Sequence, residues 1–312
     1  MAQAVVTGGA GFIGSHLVRA LVKRGDVVKV IDDFSTGHPE NFVDVLEDIE
    51  LHEVSICDAD ALRSLFEGVD VCYHEAALAS VERSVADPVT TNEVNVAGTL
   101  NVFVACREAG VQRVVYASSS SVYGDTQEMP LHEGMPLQPI SPYATTKAVN
   151  ELYAKNFCDL YGMELVGLRY FNIFGPGQDP NSPYAAAIPS FLSKMLNGEG
   201  PVVYGTGRQS RDFTYVDNVV EANIKAAHHN GPLSGVFNIA CGRTLSLLEM
   251  IESLNRTINT TFEPEFAPPR PGDVQTSLAD ITSARDAFGY VPVVNVEEGL
   301  QRTVGWYEKN IT

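Results

Sequence analysis

The first apolar stretch of the chain predicts a buried β-strand that leads directly into a helix. The apolar run 4–6 is followed by Gly8, Gly11 and Gly14, and a helical stretch covers residues 15–24. In such a unit the first glycine allows a sharp turn, the second lets a pyrophosphate approach the backbone, and the third lets the helix pack on the sheet. The free N–H groups and the positive end of the helix then face the phosphates. The pattern therefore predicts a dinucleotide-binding corner.

Strand-like and helix-like patterns then alternate along the first half of the chain. The alternation has short connections, which predicts the α/β class with a Rossmann-type doubly wound parallel sheet. The predicted strands cover 27–31, 51–56, 69–73 and 113–117, and the predicted helices cover 60–66, 92–109 and a long stretch from 143.

The pattern changes at about residue 170, where prolines, glycines and aromatic residues become frequent and the predicted strands become short and irregular. We therefore expect a Rossmann domain that binds the nucleotide over 1–170, to which later segments return. We expect the remainder, 171–312, to form mainly a smaller mixed α/β domain that binds the substrate.

Composition excludes several classes of partner. The 312 residues carry a formal net charge of −18, which argues against nucleic acid or an anionic membrane as a partner. An anionic substrate must then be met by locally placed arginines. The five cysteines are scattered without a paired motif, as is typical of small buried side chains in a reducing compartment. Because no histidine spacing suits a metal and no signal-peptide or membrane-length pattern is evident, we expect a cytoplasmic enzyme without a metal.

Residues at the ends of the predicted strands indicate which dinucleotide this corner binds. The second predicted strand ends at Asp32, where a carboxylate can hydrogen-bond the adenosine ribose and repel a 2′-phosphate. Since no Arg or Lys occurs at 33–36, the sequence favours NAD over NADP. Ala76 and Ala77, after the fourth predicted strand, would let the cofactor lie against the backbone. The neighbouring His74 is expected to be structural.

A tyrosine and a lysine provide the candidate chemistry. Tyr143 and Lys147 are four residues apart on a predicted helix and therefore share one face. We expect the ammonium group of Lys147 to lower the pKa of Tyr143 from about 10 towards neutrality, which would make the phenol an effective general base. The serines at 118–121 end a predicted strand, where a hydroxyl can orient a substrate alcohol.

These motifs occur together with several others, and the combination resembles the extended short-chain dehydrogenases/reductases, specifically the nucleotide-sugar 4-epimerases. The resemblance covers essentially the whole chain. Besides Tyr143 and Lys147, it rests on the segments 7–14, 74–77, 95–99, 118–124, 168–172, 211–213 and 270–273.

The resemblance implies a role for each site residue. Tyr143 would be the base, Lys147 would hold the nicotinamide ribose, Ser119 would be the catalytic Ser/Thr, and Phe171 would lie near the nicotinamide. It implies NAD contacts for Gly8, Gly11, Phe12, Ile13, Gly14, Asp32, Asp33, Ser35, Thr36, Gly37, Ser55, Ile56, Ala76, Ala77, Asn95, Ser118, Tyr143, Lys147 and Tyr170. It implies UDP-sugar contacts for Ser119, Ser120, Ser121, Tyr143, Asn172, Ala186, Ala187, Val203, Tyr204, Arg211, Arg270, Asp273 and Ser277.

Two positions after Ser119 indicate the type of reaction. Sugar dehydratases of this superfamily carry Asp and Glu there, and UDP-glucuronate decarboxylases keep a glutamate. This chain has Ser120 and Ser121, which cannot act as carboxylates. The resemblance therefore implies epimerisation at C4 through a 4-keto sugar, with NAD bound and recycled.

Small residues in the substrate region favour a larger sugar. The resemblance places Ser277 at a gatekeeper position, where a bulky tyrosine would limit the pocket to unsubstituted hexoses. The alanines at 185–187 also replace larger amides. We therefore expect UDP-GlcNAc and UDP-GalNAc as substrates, with UDP-glucose and UDP-galactose also accepted. Ser55 departs from the aspartate that many relatives place near adenine.

Alternatives remain open from the sequence. One alternative is a UDP-glucuronate 4-epimerase, which shares the serine-rich loop. Another is a binding protein without enzymatic activity, that is, a non-catalytic module that binds NAD or a nucleotide sugar. The resemblance also implies a homodimer in which helices near 95–109 and 143–161 pair, with Leu152 and Phe157 as candidate contacts.

Overall fold

The computed structural model describes residues 1–180, 186–268 and 274–310, and its centre is a seven-stranded parallel sheet. The strands are β1 (Gln3–Thr7), β2 (Val27–Asp32), β3 (Ile49–Glu53), β4 (Val71–His74), β5 (Arg113–Ser119), β6 (Glu164–Tyr170), β7 (Ile173–Phe174), β8 (Val202–Tyr204), β9 (Ser210–Arg211), β10 (Thr214–Tyr215), β11 (Gly235–Ile239), β12 (Leu245–Ser246), β13 (Glu265–Ala267) and β14 (Thr276–Ser277).

Helices connect these strands. They are α1 (Phe12–Arg24), α2 (Ala59–Leu65), α3 (Val81–Ala86), α4 (Pro88–Asn92), α5 (Thr99–Ala109), α6 (Pro142–Tyr161), α7 (Ala187–Leu196), α8 (Val216–Ala227), α9 (Leu247–Ile258), α10 (Thr282–Phe288) and α11 (Val296–Asn310). Within the described residues, no helix is both long and apolar enough to cross a membrane.

The order of strands in the main sheet confirms the predicted doubly wound fold. It runs β11-β6-β5-β4-β1-β2-β3, and each neighbouring pair is parallel. The chain proceeds outward from β1 to β3 and then returns to the other side of β1 with β4. In open α/β sheets, ligands bind outside the carboxyl ends of the strands at this switch point.

Helix layers cover both faces of the sheet, which explains why its strands are continuous apolar runs. Adjacent residues point to opposite faces: Val6 packs with Leu17 of α1, and Val5 packs with Phe103 of α5. The chain beyond residue 170 divides between two regions. Strand β11 joins the main sheet, while α7, α9 and α11 form a separate core around Phe174.

The predicted helix 92–109 and the predicted strand 51–56 both need correction. The helix begins at Pro88, and a π-helical turn, Glu93–Gly98, separates α4 from α5. That turn directs the buried Asn95 inward, where its amide bonds the backbone of Leu78 and the hydroxyl of Thr146. The strand ends at Glu53, because the residues that follow leave the sheet to line a groove.

Candidate active site

A groove at the switch point is lined by most of the predicted cofactor residues of the first 77 positions. Ten of these residues line it: Gly8, Gly11, Asp32, Asp33, Ser35, Thr36, Gly37, Ile56, Ala76 and Ala77. Gly8 has a φ of +70°, and a Cβ there would lie 2.6 Å from the backbone of Ala76. A Cβ at Gly14 would lie 2.1 Å from the carbonyl oxygen of Gly8. Both positions therefore require glycine, as a dinucleotide-binding turn does.

Asp32 is held in place beside this turn. Its Oδ2 accepts a hydrogen bond from the backbone N–H of Ala10, and its Oδ1 accepts one from Phe34, both at 2.9 Å. Burial raises the pKa of Asp32, while these two bonds oppose the change. Among the described residues that line the groove there is no lysine or arginine. The site therefore fits NAD, because the carboxylate of Asp32 can accept hydrogen bonds from the ribose hydroxyls.

The remaining predicted cofactor residues lie outside the lining of this groove. They are Phe12, Ile13, Gly14, Ser55, Asn95, Ser118, Tyr143, Lys147 and Tyr170. For Asn95 and Ser118 the structure shows a supporting role, since both are buried and bonded to other protein groups. Phe171, expected near the nicotinamide, is fully buried and packs against Tyr123.

Strand β5 and helix α6 bring the three predicted catalytic residues together. Ser119 ends β5, its hydroxyl accepts a 2.9 Å hydrogen bond from Ser121, and it interacts with the phenol of Tyr143 so as to lower the pKa of that phenol. The Nζ of Lys147 lies 6.0 Å from the centroid of the Tyr143 ring and donates to the carbonyl of Ala117 at 2.8 Å. The i, i+4 spacing thus places phenol and ammonium side by side, as predicted.

The expected effect on the pKa of Tyr143 is wrong. Burial raises the pKa of Tyr143, the charge of Glu75 raises it further, and only the hydrogen bond to Ser119 lowers it. Lys147 is not among the groups that shift the pKa of Tyr143, and burial lowers the pKa of its own ammonium group to about 8. The ammonium is directed at a backbone carbonyl instead of the phenol oxygen.

A buried polar network supports the catalytic strand and helix from behind. Ser118 donates to Glu151 at 2.5 Å, and Arg169 pairs with both carboxylate oxygens of Glu151, at 2.9 and 2.7 Å. Arg169 also donates to the hydroxyl of Tyr123 at 2.7 Å, and Tyr123 donates to Asn238 at 2.7 Å. This network links β5, β6 and α6 to β11, so the catalytic elements cannot shift independently.

His74 is structural, as expected. It lies between the hydroxyls of Thr7, at 2.7 Å, and Thr99, at 2.9 Å. Burial lowers the pKa of His74 to about 3, so the ring is neutral at physiological pH. The described residues contain no cluster of His, Cys, Asp and Glu arranged to hold a metal ion.

A second groove has a volume of about 370 Å³, within the size range of small-molecule sites. Its lining includes five predicted substrate residues: Asn172, Ala186, Ala187, Tyr204 and Arg211. The first turn of α7 also lies there, and a helix N-terminus favours anions. Arg211 and this helix end supply the local positive potential that the acidic chain requires.

Other predicted substrate residues are placed differently. Val203 is fully buried in the core around Phe174, so only its backbone can reach a ligand. Ser277 is also buried, does not line the groove, and accepts a 3.1 Å hydrogen bond from the amide of Asn172. Ser119, Ser120, Ser121 and Tyr143 lie outside the lining as well. Ala185, Arg270 and Asp273 fall outside the described residues.

Several groove residues escaped the sequence analysis. Val54, Glu75, Leu78 and Val94 line the first groove, and Ser80, Val81, Glu82, Phe191 and Gln209 are among those that line the second. For Glu75 the sequence held an available signal, because a charged residue directly follows a strand that is otherwise buried. The others are apolar or polar residues on helices and turns that the sequence did not distinguish from supporting structure.

Comparison with known proteins agrees with this geometry. Residues 4–240 match the model of the NAD dependent epimerase/dehydratase family. A UDP-N-acetylglucosamine 4-epimerase from Methanobrevibacter ruminantium, solved with UDP-N-acetylmuramic acid, is 43% identical with a TM-score of 0.95, covering 99% of this chain and 98% of its own. A UDP-glucose 4-epimerase from Thermus thermophilus, solved with NAD, is 35% identical with a TM-score of 0.91, covering 99% of both chains.

A further relative is similar in sequence over nearly its full length. The UDP-glucose 4-epimerase of Mycolicibacterium smegmatis is 38% identical over 311 residues, which is 98% of each chain. Taken with the glycine turn, the Asp32 site and the Tyr143–Lys147 pair, these matches identify the enzyme class. The chain belongs to the NAD dependent epimerase/dehydratase family, as an extended short-chain dehydrogenase/reductase of the nucleotide-sugar epimerase type.

Proposed function

We propose that this enzyme interconverts UDP-GlcNAc and UDP-GalNAc, and also UDP-glucose and UDP-galactose, by inversion at C4. The observation that carries the proposal is the grouping of Ser119, Tyr143 and Lys147 in a structure that also has a groove suited to a dinucleotide and a groove lined by Arg211. Since Ser120 and Ser121 follow in place of carboxylates, the site has the groups for epimerisation but lacks the added acid and base of a dehydratase.

The proposed mechanism assigns a task to each catalytic side chain. Gly8, Gly11 and Asp32 would hold NAD, which when bound supplies a hydride acceptor for C4 and a positive charge that favours the phenolate of Tyr143. Tyr143 takes the proton of the C4 hydroxyl and later returns it. Ser119, which interacts with the phenol, orients that hydroxyl. Because burial raises the pKa of Tyr143, the phenol retains the proton that it has taken until that proton is returned to the 4-keto oxygen.

The second groove supports a nucleotide sugar as the substrate. Arg211 and the first turn of α7 can hold a diphosphate, since guanidinium and helix N–H groups both pair well with phosphate oxygens. Ala186 and Ala187 leave room for a sugar that must turn over between the two halves of the reaction. The same space admits a 2-acetamido group. The relatives at 43% and 38% identity are a UDP-N-acetylglucosamine 4-epimerase and a UDP-glucose 4-epimerase, which supports both substrate pairs.

The test is to incubate purified protein separately with UDP-GlcNAc, UDP-glucose and UDP-glucuronate, and to resolve the products by NMR. We expect UDP-GalNAc and UDP-galactose to form, with kcat/KM greater for the acetamido sugar. Conversion of UDP-glucuronate alone would replace the proposal with a glucuronate epimerase. Absence of turnover with all three sugars would favour a binding module.

We also propose that the enzyme is a homodimer joined through α5 and α6. Leu152 and Leu160 on α6 are 58% and 73% exposed, which leaves apolar surface on that helix. Phe157, an expected contact, is instead buried against Phe103, with ring centroids 5.7 Å apart, and is not available to a partner. Sedimentation velocity at micromolar concentration should give a dimer, and a monomer there would contradict the proposal.

A further inference from the structure

Glu75 occupies a position between the two halves of the active site. It directly follows β4, which lies between β1, the strand that leads into the glycine turn, and β5, the strand that ends at Ser119. The side chain lines the cofactor groove. It therefore stands at the sheet edge between the predicted pyrophosphate site and the catalytic residues, although the resemblance gave it no role.

One oxygen of Glu75 is fixed by residues from distant parts of the chain. The hydroxyl of Tyr170, at the end of β6, donates to Oε1 of Glu75 at 2.7 Å. The amide of Asn223, on α8, in turn donates to that hydroxyl at 2.8 Å. Oε2 makes no hydrogen bond to any described residue. Asp32 differs from Glu75, because both of its carboxylate oxygens accept hydrogen bonds from backbone N–H groups.

The groups around Glu75 compensate its charge only in part. Helix α6 contributes Lys147 and Tyr143, and the charge of Glu75 acts on both of them. His74 on β4 is neutral, with a pKa of about 3, and Asn223 and Tyr170 are uncharged donors. Burial raises the pKa of Glu75 to about 7, against the opposing effects of Tyr170 and Lys147.

We propose that Glu75 is a positioning residue that sets the redox preference of the bound nicotinamide cofactor, because its negative charge favours the oxidised, cationic form over the reduced, neutral form. A fixed charge in a partly desolvated site acts on a cofactor more strongly than in water. The consequence for an epimerase is specific: an enzyme that releases a keto sugar too early is left in the reduced form, and Glu75 disfavours that state. The inference depends on the family's cofactor and not on which sugar is the substrate.

The experiment is a reductive titration of the holoenzyme without any sugar, followed by absorbance at 340 nm. We expect Glu75→Gln, which keeps the size and an acceptor for Tyr170, to shift the equilibrium towards the reduced cofactor roughly tenfold at pH 8, the effect of one buried unit charge. For a two-electron couple this is a rise in midpoint potential of about 30 mV. If the equilibrium constant for cofactor reduction stayed within twofold of the parent value at every pH, the proposal would be overturned.

The pH dependence separates charge from structure. In the parent enzyme the preference for the oxidised form should grow as the pH rises through about 7, where Glu75 loses its proton. Lys147 titrates near 8 and acts in the same direction, but it remains in both proteins. The difference between the two pH profiles therefore reports the charge of Glu75 together with the change that its loss makes in Lys147, whose pKa that charge raises.

A second variant keeps the proposal falsifiable if Glu75→Gln binds cofactor poorly. Tyr170→Phe retains the carboxylate but removes a hydrogen bond that stabilises its charged form. We expect the midpoint of the pH profile to move upward while the potential at high pH returns to the parent value. An unchanged midpoint would contradict the role assigned to Glu75. Because no sugar is present, neither outcome depends on the proposed substrate.

Discussion

The catalytic edge of the sheet and the substrate groove beside it are built from different kinds of structure. Ser119 and Tyr143 sit on a seven-residue strand and a twenty-residue helix. The buried Glu151–Arg169 network lies behind them. The substrate groove is bounded by strands of two or three residues, such as β8 and β9, and by the first turn of α7. The predicted catalytic groups therefore lie on long, well-supported elements, whereas the groove proposed for the sugar is bounded by short ones.

The largest expected effect is a loss of activity caused by a change at the catalytic edge. Tyr143→Phe removes the phenol that exchanges the proton, and we expect kcat to fall roughly 10²- to 10⁴-fold. The matched control is Tyr153→Phe, ten residues later on the same helix, which packs against the core cluster that contains Phe103 and should keep near-parental activity. Initial rates of UDP-GlcNAc conversion decide the matter, and equal rates for the two variants would refute the assignment of Tyr143.

The next effect tests whether the catalytic edge is the more rigid region. Glu151→Gln leaves the guanidinium of Arg169 buried without its charge partner, so unfolding free energy should fall by about 3 kcal/mol. The exposed pair of Glu298 and Arg302 provides the control, because Glu298→Gln should cost about 0.5 kcal/mol or less. Urea unfolding measures both. Similar losses would mean that the buried pair does not stiffen the site.

A smaller effect tests the recognition side. Arg211→Met removes the guanidinium of the substrate groove, and we expect KM for the UDP-sugar to rise roughly thirtyfold with little change in kcat, as for an interaction made equally in ground and transition states. Arg208→Met, at an exposed position three residues earlier, should leave both constants unchanged. If kcat fell and KM stayed constant, Arg211 would belong to the chemistry and not to binding.

The smallest expected effect concerns the choice of sugar. Ala186→Gln narrows the groove wall at an exposed position, and it should reduce kcat/KM for UDP-GlcNAc relative to UDP-glucose roughly tenfold. Ser277→Tyr is the informative comparison, because Ser277 is buried behind Asn172 and does not line the groove. If only the Ser277 variant changed the sugar preference, the residue that discriminates between sugars would be the buried Ser277 and not Ala186 in the groove lining.

Sequence reasoning succeeded where the information is local. The glycine turn, Asp32 at a strand end and the Tyr143–Lys147 spacing all depend on residues within a few positions of each other, so their geometry follows from strand and helix periodicity. The same reasoning yielded the class of fold and the neutral, structural His74.

It failed where distant parts of the chain decide the environment. The direction of the Tyr143 pKa shift depends on burial and on Glu75, 68 positions away in the sequence, and no local spacing reveals either. Glu75 in turn depends on Tyr170 and Asn223, which only the folded sheet brings together. The burial of the Val203 side chain was not predicted for a related reason, since a strand of three residues gives too little periodicity to show which side chains face the core.

The central claim is that the hydrogen removed from C4 is returned to the same carbon within one active site, with Tyr143 managing the proton. The most direct measurement uses UDP-GlcNAc labelled with deuterium at C4, incubated in ordinary water and analysed by NMR of the product. The account predicts UDP-GalNAc that keeps the deuterium at C4. Product with ordinary hydrogen at C4 would show exchange with solvent and would contradict it.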